Sequence, residues 1–400
     1  MSLDTATPAL IMRLDDNVFH HGTLAAIRSL GGAGVPVHAL LEGPHAPASR
    51  SRHLSRMHVW GTRERGPQAV VGELLALAAR IGTRAVLVPM DDLGALLVGE
   101  HAAELSPAFL LPAQPPGVPR LLADKARLAG LCRALGLAQP ETRPVTGMDD
   151  LPGALADLGL PVVAKWARPW LVPAGVRPRS TTLVHRFEHA AHLVRQSAGH
   201  GATLLLQRYV PESAGSDWFF HGYFGAGSRC LFGGAGRKER AYPAGCGLTT
   251  YGTWLPNPRL ESLACGLAEA IGYRGILDLD FRHDPGTGQY HLLDANPRPG
   301  AQFRLFESGA GLDVVRALHL DLTGREVEPG APAHGRTYLV ENYDARTALL
   351  RPRPSSPRRW WRSVRHAHEL AWFSRDDPAP FLAMGGQSLK RAFTRLRRGR

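Results

Sequence analysis

Asp294, Asn296 and Arg298 alternate in "LLDANPRPG", followed at once by Pro299 and Gly300. In an extended strand such positions share one face. A carboxylate, an amide and a guanidinium converging there suit a divalent metal ion bound to phosphate. Upstream, "GILDLDF" and the turn "RHDPGTG" pair with "QYHLLDANP" as a hairpin. With the turn centred near Thr287, Asp280 faces Asp294 and Asp278 faces Asn296. Opposed carboxylates on one sheet face repel. A cation held by Asp280, Asp294 and Asn296 removes that conflict. The plain alternative is a solvated hairpin face ending in a Pro-Gly turn.

Lysines supply the second signal. Only Lys125, Lys165 and Lys238 precede residue 350, in a chain that otherwise uses Arg. Lys165 ends the apolar strand "PVVAK", where a lysine is disfavoured unless its ammonium reaches an anion. Lys125 sits near a helix start in "ADKARL". Ammonium groups are point charges suited to phosphate, although each lysine alone also reads as an ordinary solvated one.

The elements that must place these groups point to an α/β (α+β) chain. "PALIMRLDD", "HHGTLAAIRSLGGAGVPVHALL" and "AVVGELLALAARIGTRAVLVPMDD" alternate strand and helix, which predicts a parallel α/β domain over residues 1–105. The His20-His21 pair reads as a helix start. No GxGxxG is present, so no dinucleotide site is expected there. After the Pro-rich "LLPAQPPGVPR" come one helix over 121–137, the Lys165 strand, and the buried strand "ATLLLQRYV". Two antiparallel strands, "DWFFHGYFG" and "RCLFGGAG", then lead to a helix and the hairpin. An Arg-, Pro-, Ser- and Trp-rich stretch and a basic helix close the chain.

Composition bounds the function. The 400 residues and 44% hydrophobic content predict a globular protein of two or three subdomains. No run of about 18 apolar residues is present, and the N-terminus lacks the pattern of a signal peptide. Cys132, Cys230, Cys246 and Cys265 are widely spaced, which predicts reduced thiols in a cytoplasmic protein without a zinc site. The net charge of +12 is uneven. Residues 351–400 hold twelve Arg and one Lys against three acidic residues, so about ten of those charges lie there. In "SLKRAFTRLRRGR", Leu389, Phe393 and Leu396 form an apolar stripe on a basic helix. That helix could touch an anionic membrane weakly, or pack on the protein's own domain. Specific nucleic-acid binding is not expected.

The order Lys125, Lys165, "LLLQRYV", "LDLDF", "LLDANPRPG" resembles the ATP-grasp superfamily of ATP-dependent carboxylate–amine ligases. It looks closest to the predicted carboligase branch that includes D-aspartate ligase, over roughly residues 10–330. The resemblance implies a pre-ATP-grasp domain (1–105), an ATP-grasp domain (106–330, divided near residue 205), and a basic C-terminal extension (331–400). Lys125 and Lys165 would hold ATP phosphates. Gln207, Arg208, Tyr209 and Val210 would form the adenine hinge, through backbone groups of Arg208 and Val210, and Asp217 would hold the ribose. Asp280, Asp294 and Asn296 match ligands of Mg²⁺ or Mn²⁺. Arg298 matches the arginine facing the transferring phosphate, with Arg237 or Lys238 assisting, and Arg304 could meet a substrate carboxylate or make a surface salt bridge. The implied reaction joins a small-molecule carboxylate to an amine, in a chain that could form homo-oligomers. The loop "WARPWLVPAGVRPRSTT" departs from the family in lacking a glycine run, with Arg177 and Arg179 as substitute clamps. A non-catalytic ATP-binding regulator and a protein acting chiefly through its basic tail remain as alternatives.

Overall fold

Strand β1 (Ala9–Met12) sends Ala9 and Ile11 into one apolar core and Leu10 and Met12 into another. The computed structural model describes residues 2–61, 66–172, 181–197, 203–243, 247–349 and 357–398. Its first layer is a five-stranded parallel sheet of β1, β2 (Val37–Leu41), β3 (Arg56–Val59), β4 (Ala85–Pro89) and β5 (Phe109–Leu110), in the order β3-β2-β1-β4-β5. Helix α1 (His21–Gly31) buries Leu24, Ile27 and Leu30 on one face. Helices α2 (Pro67–Ile81) and α3 (Asp92–Glu100) cover the other, as a buried parallel sheet requires. A short α4 (Ala102–Leu105) follows.

The single helix expected over 121–137 is two, α5 (Val118–Ala123) and α6 (Lys125–Leu135). Asp124 between them is extended, and its Oδ1 accepts from Ala126 N (3.0 Å) and Arg127 N (3.2 Å). An N-cap carboxylate competes with helix continuation. The break puts Lys125 at the first position of α6.

The second sheet is antiparallel, in the order β6-β9-β7-β8, from β6 (Thr142–Val145), β7 (Val162–Trp166), β8 (Thr182–Val184) and β9 (Leu204–Arg208). Helices α7 (Asp150–Leu158) and α8 (Phe187–Ser197) pack on it around a separate core. Strand β9 runs to Arg208, so the division expected near 205 falls inside this sheet.

The third sheet carries the hairpin. It joins β10 (Asp217–Phe224), β11 (Cys230–Tyr242), β12 (Leu248–Trp254), β13 (Gly275–Asp284) and β14 (Gln289–Asn296) in the order β14-β13-β10-β11-β12. One face packs on α5, α6 and α9 (Pro258–Ala270). The other, with Phe219 and Tyr223, shares a core with α1 and α10 (Val314–Leu322).

The segment 331–400 is not an appended extension. Strands β15 (Thr337–Leu339) and β16 (Glu369–Leu370) continue the third sheet beyond β12. On α11 (Glu341–Leu349), the fully buried Asp344 accepts from Arg240 (2.7 and 2.8 Å), Thr250 Oγ1 (2.8 Å) and Trp360 Nε1 of α12 (Pro357–His366) (3.0 Å). Trp372 is fully buried, and Asp377 ties Arg28, Ser51 and Arg52 to this segment. Helix α13 (Ala379–Arg398) lies on residues 47–50 through its buried Met384, while Leu382 (68%) and Leu389 (63%) are exposed. Leu389 of the expected stripe therefore faces away from the packed side, and the side chains of Phe393 and Leu396 lie outside the described residues. Among the described residues, no helix is long and apolar enough to cross a membrane.

Candidate active site

A cleft of about 410 Å³ opens between the second and third sheets, with His20 of the N-terminal domain in its lining. On the hairpin, Asp280 pairs with Asp294 and Asp278 with Asn296, the register expected from sequence. Between Asp280 and Phe281 the register shifts, leaving Leu293 as the extra residue of a β-bulge. Bulges re-aim groups beside functional sites. Here the Leu293 carbonyl accepts from Lys165 Nζ at 2.9 Å.

Lysine and carboxylate groups compensate one another across the cleft. Lys125 Nζ bonds Asp294 Oδ1. Lys238 Nζ lies 3.4 Å from Asp280 Oδ1 and donates to Gly247 O at 3.2 Å. Burial pushes the Lys165 ammonium down to about 8 despite the attraction of Asp294. Burial also raises the Asp280 carboxyl, with repulsion from Asp278 and Asp294 outweighing part of the help from Lys238. For Asp294 burial acts in the same sense, but Lys125 and Lys165 bring the carboxyl below its ordinary value. Two adjacent carboxylates are thus held unequally, which is typical of sites built to exchange partners.

Arg298 is anchored three ways. Its Nε donates to Asp92 Oδ1 of α3 (2.8 Å), Nη2 to Asn296 Oδ1 (3.2 Å) and Nη1 to Pro299 O (3.1 Å). Asp92 and Asp278 keep it charged against its burial. Asp217 is clamped by Arg282 through Nε (2.6 Å) and Nη2 (2.9 Å). Buried Gln207 donates to Thr142 Oγ1 at 3.0 Å.

The structure brings together Lys165, Gln207, Arg208, Tyr209, Val210, Asp217, Lys238, Asp280, Asp294, Asn296 and Arg298 as cleft lining, with Lys125 reaching it through Asp294. At the hinge, however, the Arg208 N–H already donates to Glu141 O (2.8 Å) and the Val210 carbonyl accepts from Arg282 (2.9 Å). The Arg208 side chain turns outward to Glu141. Two expected residues stand outside the cleft. Strand alternation points Arg237 away from Lys238, toward Glu239 (2.8 Å). Arg304 sits in a buried cluster with Asp313 (2.8 Å), Glu307 (3.0 Å) and Glu369 (3.4 Å). It is thus a salt-bridged residue, but in a buried network rather than at the surface as the alternative had it. Arg177 and Arg179 lie outside the described residues.

Three contributors escaped the sequence reading as site residues. His20 was read only as part of a helix start. It is the N-cap of α1, its Nδ1 accepting from Thr23 N (3.1 Å), and it also lines the cleft. Asp92 and His221 gave no local signal, since each reaches the site through a contact distant in sequence.

A divalent metal fits the hairpin. Asp280, Asp294 and Asn296 offer two carboxylates and an amide oxygen, a hard donor set that magnesium completes with phosphate and water. Among the described residues no group of three or more His, Cys, Asp or Glu could hold a metal unaided, so phosphate oxygens would have to share the work.

No family model matches the sequence. D-aspartate ligase of Enterococcus faecium is 24% identical over 245 residues, 59% of this chain and 58% of that protein. The matched segment thus spans less than two thirds of that relative. In three dimensions the chain is similar to N5-carboxyaminoimidazole ribonucleotide synthetase from Thermus thermophilus, with a TM-score of 0.60, 18% identity and 82% of each chain covered. It is similar also to N5-carboxyaminoimidazole synthetase from Staphylococcus aureus complexed with ADP, with a TM-score of 0.60, 12% identity, and 84% and 83% of the chains covered. By this likeness the chain has the ATP-grasp fold.

Proposed function

We propose that this chain is an ATP-dependent ligase that activates a small carboxylate as an acylphosphate and joins it to an amine, releasing ADP and phosphate. The observation that carries the reading is the Asp280–Asp294 pair gathered with Lys125, Lys165 and Lys238 at the cleft. Such a cluster is costly in an empty pocket and matched to a metal–triphosphate. The ADP-bound structural relative supports nucleotide binding in this fold.

Gln207 and Val210 would face the adenine, and Asp217, fixed by Arg282, the ribose. Lys125 and Lys165 would exchange their present acceptors for phosphate oxygens, freeing Asp294. The metal, bound by Asp280, Asp294 and Asn296, would supply charge neutralisation on the β- and γ-phosphates. Arg298 and Lys238 would face the transferring group. A carboxylate oxygen attacks the γ-phosphorus, forming an acyl–phosphate bond as the β–γ bridge breaks and ADP leaves. The amine nitrogen then attacks the acyl carbon, and phosphate departs with the bonding pair. Catalysis on this scheme is positioning and electrostatics. The test is ADP release from Mg²⁺-ATP across a panel of amino acids and dipeptides, with products identified by mass spectrometry. Release that requires both a carboxylate and an amine is expected. Nucleotide binding without turnover on any pair would favour a regulatory ATP-binding role instead.

A further inference from the structure

On the metal-binding face, beside the Asp280–Asp294 pair, lies a buried His–Asp contact that the scheme above leaves idle. His221 on β10 is opposite Asp278 on β13, which is opposite Asn296 on β14. His221 is fully buried, and its Nε2 lies 2.5 Å from Asp278 Oδ1. The two atoms are in contact, but their alignment falls outside hydrogen-bond geometry. Among the described residues neither His221 nitrogen nor Asp278 Oδ1 has an aligned partner.

Asp278 spends its other oxygen on the site. Oδ2 accepts from Asn296 Nδ2 at 3.2 Å and lies 3.6 Å from Arg298 Nη1. On the far side of the same amide, Arg298 Nη2 donates to Asn296 Oδ1 at 3.2 Å. A carboxylate can only accept and a guanidinium can only donate, so the amide between them has one orientation. Gly300 closes the arrangement. A Cβ there would come within 2.4 Å of His221 Cε1, 2.5 Å of Nε2 and 2.7 Å of Asp278 Oδ2. The glycine after Pro299 is therefore required by close approach.

We propose that Asp278, held by His221, is a positioning residue that fixes the Asn296 amide with its oxygen turned toward the metal–nucleotide. This rests on the metal–nucleotide reading of the cleft. Outer-shell partners of this kind typically govern metal affinity by about 10- to 100-fold.

The test is equilibrium ADP binding by calorimetry, with and without Mg²⁺, in wild type, Asp278→Asn, Asn296→Asp and the double variant. In Asp278→Asn the amide at 278 can both donate and accept, so the orientation is no longer imposed. The Mg²⁺-dependent gain in ADP affinity should fall about tenfold, with metal-free ADP affinity within twofold of wild type. In the Asn296→Asp background there is no amide left to orient, and the same substitution should change that gain by less than twofold. Equal losses in both backgrounds would mean that Asp278 acts as a bare charge or direct ligand, and would overturn the proposal. So would an unchanged gain in Asp278→Asn. If that variant does not fold, Asp278→Ser, whose hydroxyl likewise both donates and accepts, replaces it in the same two backgrounds. A loss of the gain confined to the background that keeps Asn296 supports positioning, and an equal change in both, or none in either, contradicts it. Failure of wild type to bind ADP at all would sink the nucleotide reading and this role with it, an outcome distinct from normal binding with an indifferent Asp278.

Discussion

Two sets of buried ion pairs, meeting on β11 at Lys238 and Arg240, are built differently. In the C-terminal set, Arg240 grips Asp344 with two nitrogens, Arg304 meets three acidic residues, and Arg28 holds Asp377. These use planar guanidinium forks, and their carboxylates are further satisfied by hydroxyl, indole or backbone donors. In the cleft, among the described residues, Lys125 touches one carboxylate oxygen, Lys238 one carboxylate oxygen and a carbonyl, and Lys165 a carbonyl. Point charges with one or two contacts are exchanged for a ligand more readily than a guanidinium whose carboxylate also accepts from hydroxyl, indole or backbone donors. The difference separates a clasp that holds the fold from a clasp that waits for phosphate.

Breaking the structural set should produce the largest effect. Arg240→Ala leaves Asp344 buried and under-compensated, which costs about 3–5 kcal/mol. Chemical denaturation should show that loss, while ADP affinity of the folded protein stays near wild type. A stability change under 1 kcal/mol would erase the distinction. In the cleft the effect should reverse in kind. Asp294→Asn is expected to cut ADP formation by roughly a hundredfold or more with little change in melting temperature. Activity within a few-fold of wild type would remove Asp294 from the site.

Lys165 sharpens the contrast through pH. Phosphate prefers the charged ammonium, and in the empty cleft that ammonium loses its proton near pH 8. ADP affinity should be flat below pH 7 and weaken by up to roughly tenfold per unit above pH 8. Lys165→Arg, charged throughout, should flatten the curve, and an unchanged profile in that variant would contradict the assignment. The smallest effect is expected at the chain end. Deleting residues 386–400 removes the Gln387 contact to His45 and Arg391 over the Phe19 ring. Melting should fall by only a few degrees, with ADP affinity within twofold, as checked by scanning calorimetry and titration.

The hairpin was legible in sequence because strand alternation and a Gly-containing turn fix both face and register. A turn centred at Thr287 gives Asp280–Asp294 and Asp278–Asn296, although the strands pair one residue out of that count nearer the turn and the bulge at Leu293 restores it. Lys165 was legible as a charge at an otherwise apolar strand end. What counting could not reach was pairing between distant segments. Asp92 reads as an ordinary first-turn acid on α3, yet it anchors Arg298. His221 reads as one residue of an aromatic strand, and nothing nearby hints at Asp278. The C-terminal 70 residues misled for a related reason. Their composition is that of a solvated basic tail, while their attachment rests on a few buried anchors, Tyr338, Asp344, Trp372 and Asp377, scattered among charges. The split at Asp124 was a local error of a different kind, in which apolar periodicity outweighed a visible capping residue.

The claim that the cleft activates a carboxylate can be tested by following oxygen. A carboxylate accepted in the panel is supplied with both oxygens as ¹⁸O, together with Mg²⁺-ATP and the amine, and the released phosphate is analysed by mass spectrometry. An acylphosphate intermediate carries one labelled oxygen into phosphate for every amide formed, the other staying in the amide. One ¹⁸O per phosphate is the expected result. Amide formation with unlabelled phosphate, or with label appearing in AMP, would contradict it.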